Sequence, residues 1–321
     1  MDVIAFGEVL VDLAQKEINE SGYPTLVANP GGAPANFLAT ISKFGLKTAM
    51  IAKVGNDAFG KALLNTLKEN NIYTKNVIKD DRFFTTLAFV TFNNEGDRSF
   101  SFARKPGADT QISFNEIDLS LIDKTKVFHF GTLSLTNEPA KTSTKKLVKY
   151  AKEKGKIISF DPNLRKPLWN NLEDAKSAMN YGLKNADIVK ISDGEVQFLL
   201  NVKTKEATKT ILNKYPNIKL LYVTCGAKGT YFATKNYNGF IKALDGLKVI
   251  DTTGAGDIFG GSAMYKMLSK KKPIDKLNIE DLIDIVKFAT VSAGLSTTKL
   301  GGISSIASKE EIEKYTKKPL E

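Results

Sequence analysis

Cysteine is almost missing from this chain: Cys225 stands alone among 321 residues. A lone thiol excludes an intrachain disulfide framework and fits a reducing cytoplasm, and a small buried residue is its plainest reading. Also missing is any apolar run of membrane-spanning length. The opening residues, Met1-Asp2 with Glu8 and Asp12 soon after, differ from the basic start and long apolar core of a signal peptide. Internal repeats, low-complexity segments and flexible linkers are absent too. Hydrophobic residues make up 42% and charged residues 25%, the balance of a globular rather than a disordered chain. The length suits one large α/β domain over 1–321.

Positive charge is in excess, at a formal +11. That raises nucleic acid as a partner. The lysines are dispersed, however, as in Lys141, Lys145, Lys146, Lys149, Lys152, Lys154 and Lys156, and no basic block is interleaved with aromatics. They read as solvated faces, with a few available to an anionic substrate. Neither nucleic acid nor a membrane is expected as a partner.

Val3-Ile4-Ala5-Phe6 reads as a buried strand ended by Gly7, and similar runs recur at 49–54, 127–130, 157–160, 188–191 and 220–224. Helical spacing fills most of the gaps, for example 61–69 and 140–152. The alternation argues for βαβ units and a mostly parallel sheet covered on both faces. Two regions break it. Residues 23–28 and 85–104 are rich in β-formers with no helix between, and 85–91, a turn at 93–96 and 98–104 read as a hairpin. Inserted strands near 12–30 and 83–106 are expected to form a small sheet over one edge, as a lid. Residues 317–321 read as a frayed tail.

The most informative segment is Asp251-Thr252-Thr253-Gly254-Ala255-Gly256-Asp257-Ile258-Phe259-Gly260-Gly261. It lies between the apolar run 247–250, read as a strand, and a helical pattern through Met264 and Met267. Strand, glycines and helix start gather backbone N–H groups around an anion, and Asp257 adds a carboxylate beside them. The plain alternative is a tight turn with close helix packing. A dinucleotide fingerprint fails because Phe259 occupies the third glycine position. The P-loop-like Gly55-Asn56-Asp57-Ala58-Phe59-Gly60-Lys61 fails because Ala62 replaces the Mg2+-binding hydroxyl, so it reads as a turn entering a helix.

Polar clusters fall at the carboxyl ends of strands, where open α/β sheets bind ligands. Asp12, Gly31-Gly32 and Asn36 suit a polyol close to the backbone, with helix entry and a structural amide as the alternatives. Arg165, in Asp161-Pro162-Asn163-Leu164-Arg165, suits a phosphate oxygen. After Lys190, Glu195 can reach Mg2+ through water or close a capping box with Ser192. Thr224-Cys225-Gly226-Ala227-Lys228-Gly229 reads either as a nucleotide shelf or as a hairpin turn. His129, the single histidine, reads as a strand residue near a site rather than a general base.

Together, Asn29-Pro30-Gly31-Gly32-Ala33-Pro34-Ala35-Asn36 and Asp251 to Asp257 resemble the two signatures of ribokinase-like (PfkB) sugar kinases. Gly7-Glu8-Val9-Leu10-Val11-Asp12, Asp161 to Arg165 and Phe128-His129-Phe130-Gly131 are most similar to bacterial fructokinases, and the match runs in order over essentially the whole chain. The resemblance implies a ribokinase-like three-layer α/β/α sandwich with a mostly parallel central sheet and a small β-sheet lid. It implies ATP as donor, Mg2+ and, in many members, a stimulating K+. Asp12, Gly31, Gly32 and Asn36 would contact the sugar, with Arg104 and Arg165 near its rim or the phosphates. Gly254, Ala255 and Gly256 would form an anion hole and Asp257 the base. Lys190, Thr224, Gly226, Gly229 and Thr290 would border the nucleotide. Asp251 and Thr253, with backbone near Thr297 and Gly301, would hold K+. Two departures stand out: Ser192 begins what is commonly Asn-x-x-Glu, and Thr290 replaces an Asn near the adenine.

The resulting expectation is phosphorylation of the primary hydroxyl of D-fructose by ATP. Asp257 would be kept ionised by the dipole of its helix. Alternatives are 2-keto-3-deoxygluconate, ribose or a nucleoside as acceptor, or a sugar-binding regulator without turnover. Exposed lid strands favour a homodimer.

Overall fold

The computed structural model describes residues 1–92 and 98–316. Short apolar runs flanked by glycine and polar residues form the strands. Those of the first half are Val3–Phe6 (β1), Leu10–Ile18 (β2), Pro24–Gly31 (β3), Thr48–Gly55 (β4), Ile72–Asp80 (β5), Leu87–Phe92 (β6) and Arg98–Ala103 (β7). Then come Val127–Gly131 (β8), Ile157–Asp161 (β9), Ile188–Ser192 (β10), Leu220–Thr224 (β11), Gly229–Ala233 (β12) and Asn238–Lys242 (β13).

One sheet has the order β13-β12-β11-β10-β9-β8-β1-β4-β5. From β5 to β11 every pairing is parallel, and the two pairings of β12, with β11 and with β13, are antiparallel. Parallel neighbours need crossovers, which here are helices covering both faces. Alternation along β1 shows it: Val3 and Ala5 enter the core on one face, Ile4 and Phe6 the core on the other. Helices Ala33–Lys43, Ala255–Ser269 and Ile279–Ser296 cover the first face, and Ala140–Glu153, Leu172–Asn185 and Thr204–Lys214 the second. The result is the expected three-layer α/β/α sandwich. Among the described residues no helix is long and apolar enough to cross a membrane.

A second sheet has the order β3-β2-β6-β7. The hairpin read at 85–104 is present, with β6 and β7 antiparallel from Leu87↔Ala103 to Phe92↔Arg98. Its expected turn at 93–96 lies outside the described residues, as does the tail 317–321. Strand β2 joins the hairpin by parallel pairing with β6 and pairs antiparallel with β3.

One expectation is overturned locally. Residues 247–250 are not a strand: Val249 and Ile250 are 59% and 54% exposed. The N–H groups of Ile250 and Asp251 donate instead to the Thr297 carbonyl, at 2.7 and 3.1 Å. Thr297 caps the helix Ile279–Ser296, so these donors and the end of that helix satisfy each other without a ladder.

Candidate active site

Strand order reverses around β1, which lies between β4 and β8, and the crevice at such a reversal is where doubly wound sheets bind ligands. A cleft of about 1050 Å³ opens there. Asp12 and Asn29 of the small sheet line it on one side, and Gly32 and Asn36 line it from the start of the helix Ala33–Lys43. Asn163, Arg165, Lys190, Glu195, Asp251, Gly254 and Asp257 line the other side.

Asp257 is the third residue of the helix Ala255–Ser269, whose N-cap Gly254 is left-handed at φ 74°. A Cβ on Gly254 would also lie 2.9 Å from the Cα of Gly302, so position 254 requires glycine twice over. The first amides of a helix have no partner within it, so 254–257 present N–H groups and the positive end of the dipole. The Ala255 amide makes a 3.3 Å turn bond to the Thr252 carbonyl.

Both oxygens of Asp257 are held by side-chain amides: Asn36 Nδ2 donates to Oδ2 at 2.9 Å and Asn163 Nδ2 to Oδ1 at 3.3 Å. Burial pushes the pKa of Asp257 above the ordinary value, and Lys190, the Asn36 bond and Arg165 only partly offset that. A raised pKa moves the group toward the range in which a general base works well near neutrality.

Asp12 lies on β2, paired with Asn29 of β3. A Cβ on Gly31 would collide with Asp12 Oδ2, so the glycine beside it makes room for the carboxylate. Burial lifts Asp12 to about 6, with Arg165 opposing and Asp257 and Asp251 adding to the rise. Asn36 lies in the first turn of the helix Ala33–Lys43; its Oδ1 is buried without a partner and thus available to an incoming hydroxyl donor. Sequence reasoning missed Glu8, which is buried and accepts the Ala33 N–H at 3.0 Å, capping a helix whose N-cap, Gly32, has no side chain to do so.

Opposite, Arg165 makes one long bond, 3.4 Å to the Leu164 carbonyl, which leaves donors for an anion. Glu195 completes the capping box: Oε2 accepts from Ser192 N and Oγ at 2.8 and 2.9 Å, and Oε1 from Leu164 N at 2.7 Å. Asp251 Oδ1 accepts from Thr253 N and Oγ1 at 2.9 and 2.7 Å, and Oδ2 from Gly301 N at 2.9 Å. The four segments named for a monovalent cation are thereby brought together, and hard oxygen donors are the type that suits one. Among the described residues no three His, Cys, Asp or Glu side chains converge on a metal ion.

Residues 1–309 match the family model described as pfkB family carbohydrate kinase. The chain belongs to that family. A probable fructokinase-3 of Arabidopsis thaliana is 36% identical to this kinase over 98% of this chain and 91% of the relative. Fructokinase from Vibrio cholerae O395, solved with fructose, ADP and calcium ion bound, superposes with a TM-score of 0.88 at 30% identity, covering 100% of this chain and 99% of that one. Fructokinase from Xylella fastidiosa with bound ATP gives a TM-score of 0.89 at 27% identity, with 98% of each chain covered.

Several residues expected at the site of this pfkB kinase do not line this cleft. Arg104 is buried and spent: it bonds Asp109 Oδ2 through Nε at 2.8 Å, Thr136 Oγ1 at 2.8 Å and the Leu133 carbonyl at 3.0 Å. Its guanidinium ties the end of the small sheet to the loop after β8 and does not line the cleft. Thr224, Gly226 and Gly229 belong to the hairpin connection from β11 to β12, and Thr290 is buried inside the helix Ile279–Ser296; none of the four lines the cleft. His129 is a buried strand residue, stacked on Phe37 at 3.9 Å and bonded through Nδ1 to Ser159 Oγ at 2.9 Å. Burial, aided by Lys190, lowers its pKa to about 3, so it stays neutral.

Proposed function

We propose that this kinase transfers the γ-phosphoryl group of ATP to the primary hydroxyl of D-fructose, giving fructose 6-phosphate and ADP. The observation that carries the reading is the position of Asp257. Its carboxylate sits at a helix start, held by Asn36 and Asn163, in a cleft whose opposite wall bears Asp12. The likeness to fructokinases along nearly the whole chain supports fructose as the sugar.

In this reading Asp12 and Asn36 bind sugar hydroxyls and Gly31 and Gly32 keep the backbone close. Asp257 takes the proton from the primary hydroxyl as that oxygen attacks phosphorus in line. The amides of Gly254, Ala255 and Gly256 stabilise charge on the transferring group, and Arg165 adds a cation. Asn36 and Asn163 fix the direction of the base. Mg2+ would neutralise phosphate charge, held by the nucleotide with Glu195 acting through water. That fits a site where, among the described residues, no acidic triad converges, since Mg2+ keeps much of its water shell. Asp251 and Thr253, near Thr297 and Gly301, would hold K+. The four-stranded sheet acts as a lid that excludes water. Its exposed Ile18, Tyr23 and Val27 favour pairing of two chains through it. A cytoplasmic location fits the lone cysteine, which is buried.

An ADP-release assay over fructose, ribose, 2-keto-3-deoxygluconate and a nucleoside tests this. Fructose is expected to give the highest kcat/KM. A higher value for another acceptor overturns the sugar assignment, and tight sugar binding without ADP release supports a regulator.

A further inference from the structure

The sheet face under the helix Ala255–Ser269 is apolar along Val3, Ala5, Val127, Ile188 and Leu220. In its middle it turns polar. His129 on β8 lies beside Ser159 on β9, Asp161 follows two residues on, and Lys190 on β10 lies beside Tyr222 on β11. These side chains line a cavity of about 20 Å³, room for one water molecule. His129 being neutral, Lys190 is the one cation among them.

Its ammonium is anchored from one side and pressed against the active site on the other. Lys190 Nζ lies 2.9 Å from Asp161 Oδ2, with the two side chains only 12% and 9% exposed. A Cβ on Gly256 would lie 2.9 Å from Nζ and 3.6 Å from Cε. The ammonium therefore occupies the space a side chain would need one residue before Asp257. A side chain at position 256 would displace the ammonium.

We propose that Lys190 is a positioning residue for Asp257: anchored on Asp161 and seated against Gly256, its charge keeps the base ionised and ready to accept a proton. The proposal rests on the reading of Asp257 as the base. The charged groups that face Asp257 are Asp161 and Arg165 from the end of β9, Glu195 and Lys190 from β10 and the helix after it, Asp251 from its own loop, and Asp12 from the small sheet. Neutral His129 faces Lys190 from β8. Acids outnumber bases, so deletion of one ammonium leaves the remaining carboxylates repelling one another. Lys190 itself stays protonated: burial disfavours its charge, but Asp161, Glu195 and Asp257 raise its pKa.

The test is the pH profile of kcat/KM for wild type, Lys190→Met, Lys190→Arg and Gly256→Ala. The acid limb is expected to move up by about one pH unit or more in Lys190→Met, a tenfold loss on the acid side, and to return in Lys190→Arg. Gly256→Ala keeps the charge but unseats it, so its limb moves the same way. A uniform loss at every pH with the limb unmoved overturns the proposal, as does a rise in KM for ATP with an unmoved limb, which makes Lys190 a phosphate contact. Carbon-13 carboxyl titration of the ligand-free protein, with Asp257 assigned through Asp257→Asn, is a second reading: its midpoint rises in Lys190→Met. An unchanged midpoint overturns the proposal, and this holds even if no sugar is turned over, which would instead sink the kinase reading.

Discussion

Two glycine-containing turns each deliver an aspartate to a helix start, and the two carboxylates meet opposite fates. Asp57 is the N-cap of the helix Ala58–Glu69, where Oδ1 accepts the Gly60 N–H at 2.7 Å and the Thr85 hydroxyl at 2.9 Å. Its Oδ2 accepts the Thr85 N–H at 2.8 Å. Burial pushes its pKa up, but those bonds from Thr85 and Gly60 outweigh it and the net is below the ordinary value. Asp257, three residues further into its helix, meets side-chain amides, and burial lifts it above the ordinary value. A helix start is therefore not enough to fix a carboxylate's charge. What counts is whether backbone donors reach it: the acid they hold stabilises the fold, and the one held by two side-chain amides keeps further lone pairs for a substrate.

Exchanging the two acids for neutral groups separates these roles. Asp257→Asn should cut turnover by on the order of 10²-fold or more while sugar binding by calorimetry survives, as for loss of a general base. Near-normal turnover would remove Asp257 from the reaction. Asp57→Ala should cost about 1 kcal/mol of stability, read from the urea midpoint, with turnover per folded molecule unchanged. An unchanged midpoint would mean the three bonds to Asp57 contribute nothing net.

Linkage gives two smaller effects. A raised folded pKa means the ionised form of Asp257 is disfavoured by folding, so the stability deficit is full above that pKa, shrinks as pH falls below it and is gone below the unfolded value of about 3.9. Asp257→Asn should therefore raise the thermal midpoint at neutral pH even as activity collapses; a lower midpoint contradicts the burial argument. Asp57 works the other way. Its depressed pKa contributes stability above the unfolded value of about 3.9, lost as pH falls through the folded value. On titration to acid, kcat/KM should fall before circular dichroism does, and coincident losses would erase the contrast between the two acids.

Much of this was legible in the sequence because parallel strands buried on both faces are continuous apolar runs. Strands β1 and β8 to β11 fall within a residue of their runs for that reason. Strand β5 was passed over because it is the sheet edge, mixing exposed Tyr73 and Lys75 with buried Asn76 and Val77. Within the lid segment near 12–30, β2 has no clear run of its own, because burial fades toward its exposed end and the register shifts between Gln15 and Glu17. The run 247–250 misled because apolar composition does not guarantee burial. Asp12, Asn36, Arg165, Lys190, Asp251 and Asp257 line one cleft, since strand ends converge in such a fold. Arg104 could have been suspected of pairing with Asp109, five residues on. No linear pattern reveals that Lys190 fills the space over Gly256, because the two meet only when β10 passes beneath the helix.

Asp12 and Asp257 are carried by different bodies, the small sheet and the sandwich, and only the cleft separates them. A sugar gripped by both is a cross-brace between two slabs. It should slow amide exchange along β2 and β6, distant from any bond being made, and leave β11 to β13 untouched. Such a molecule stiffens where it is held, so occupancy of the cleft is reported by the firmness of its outer wall.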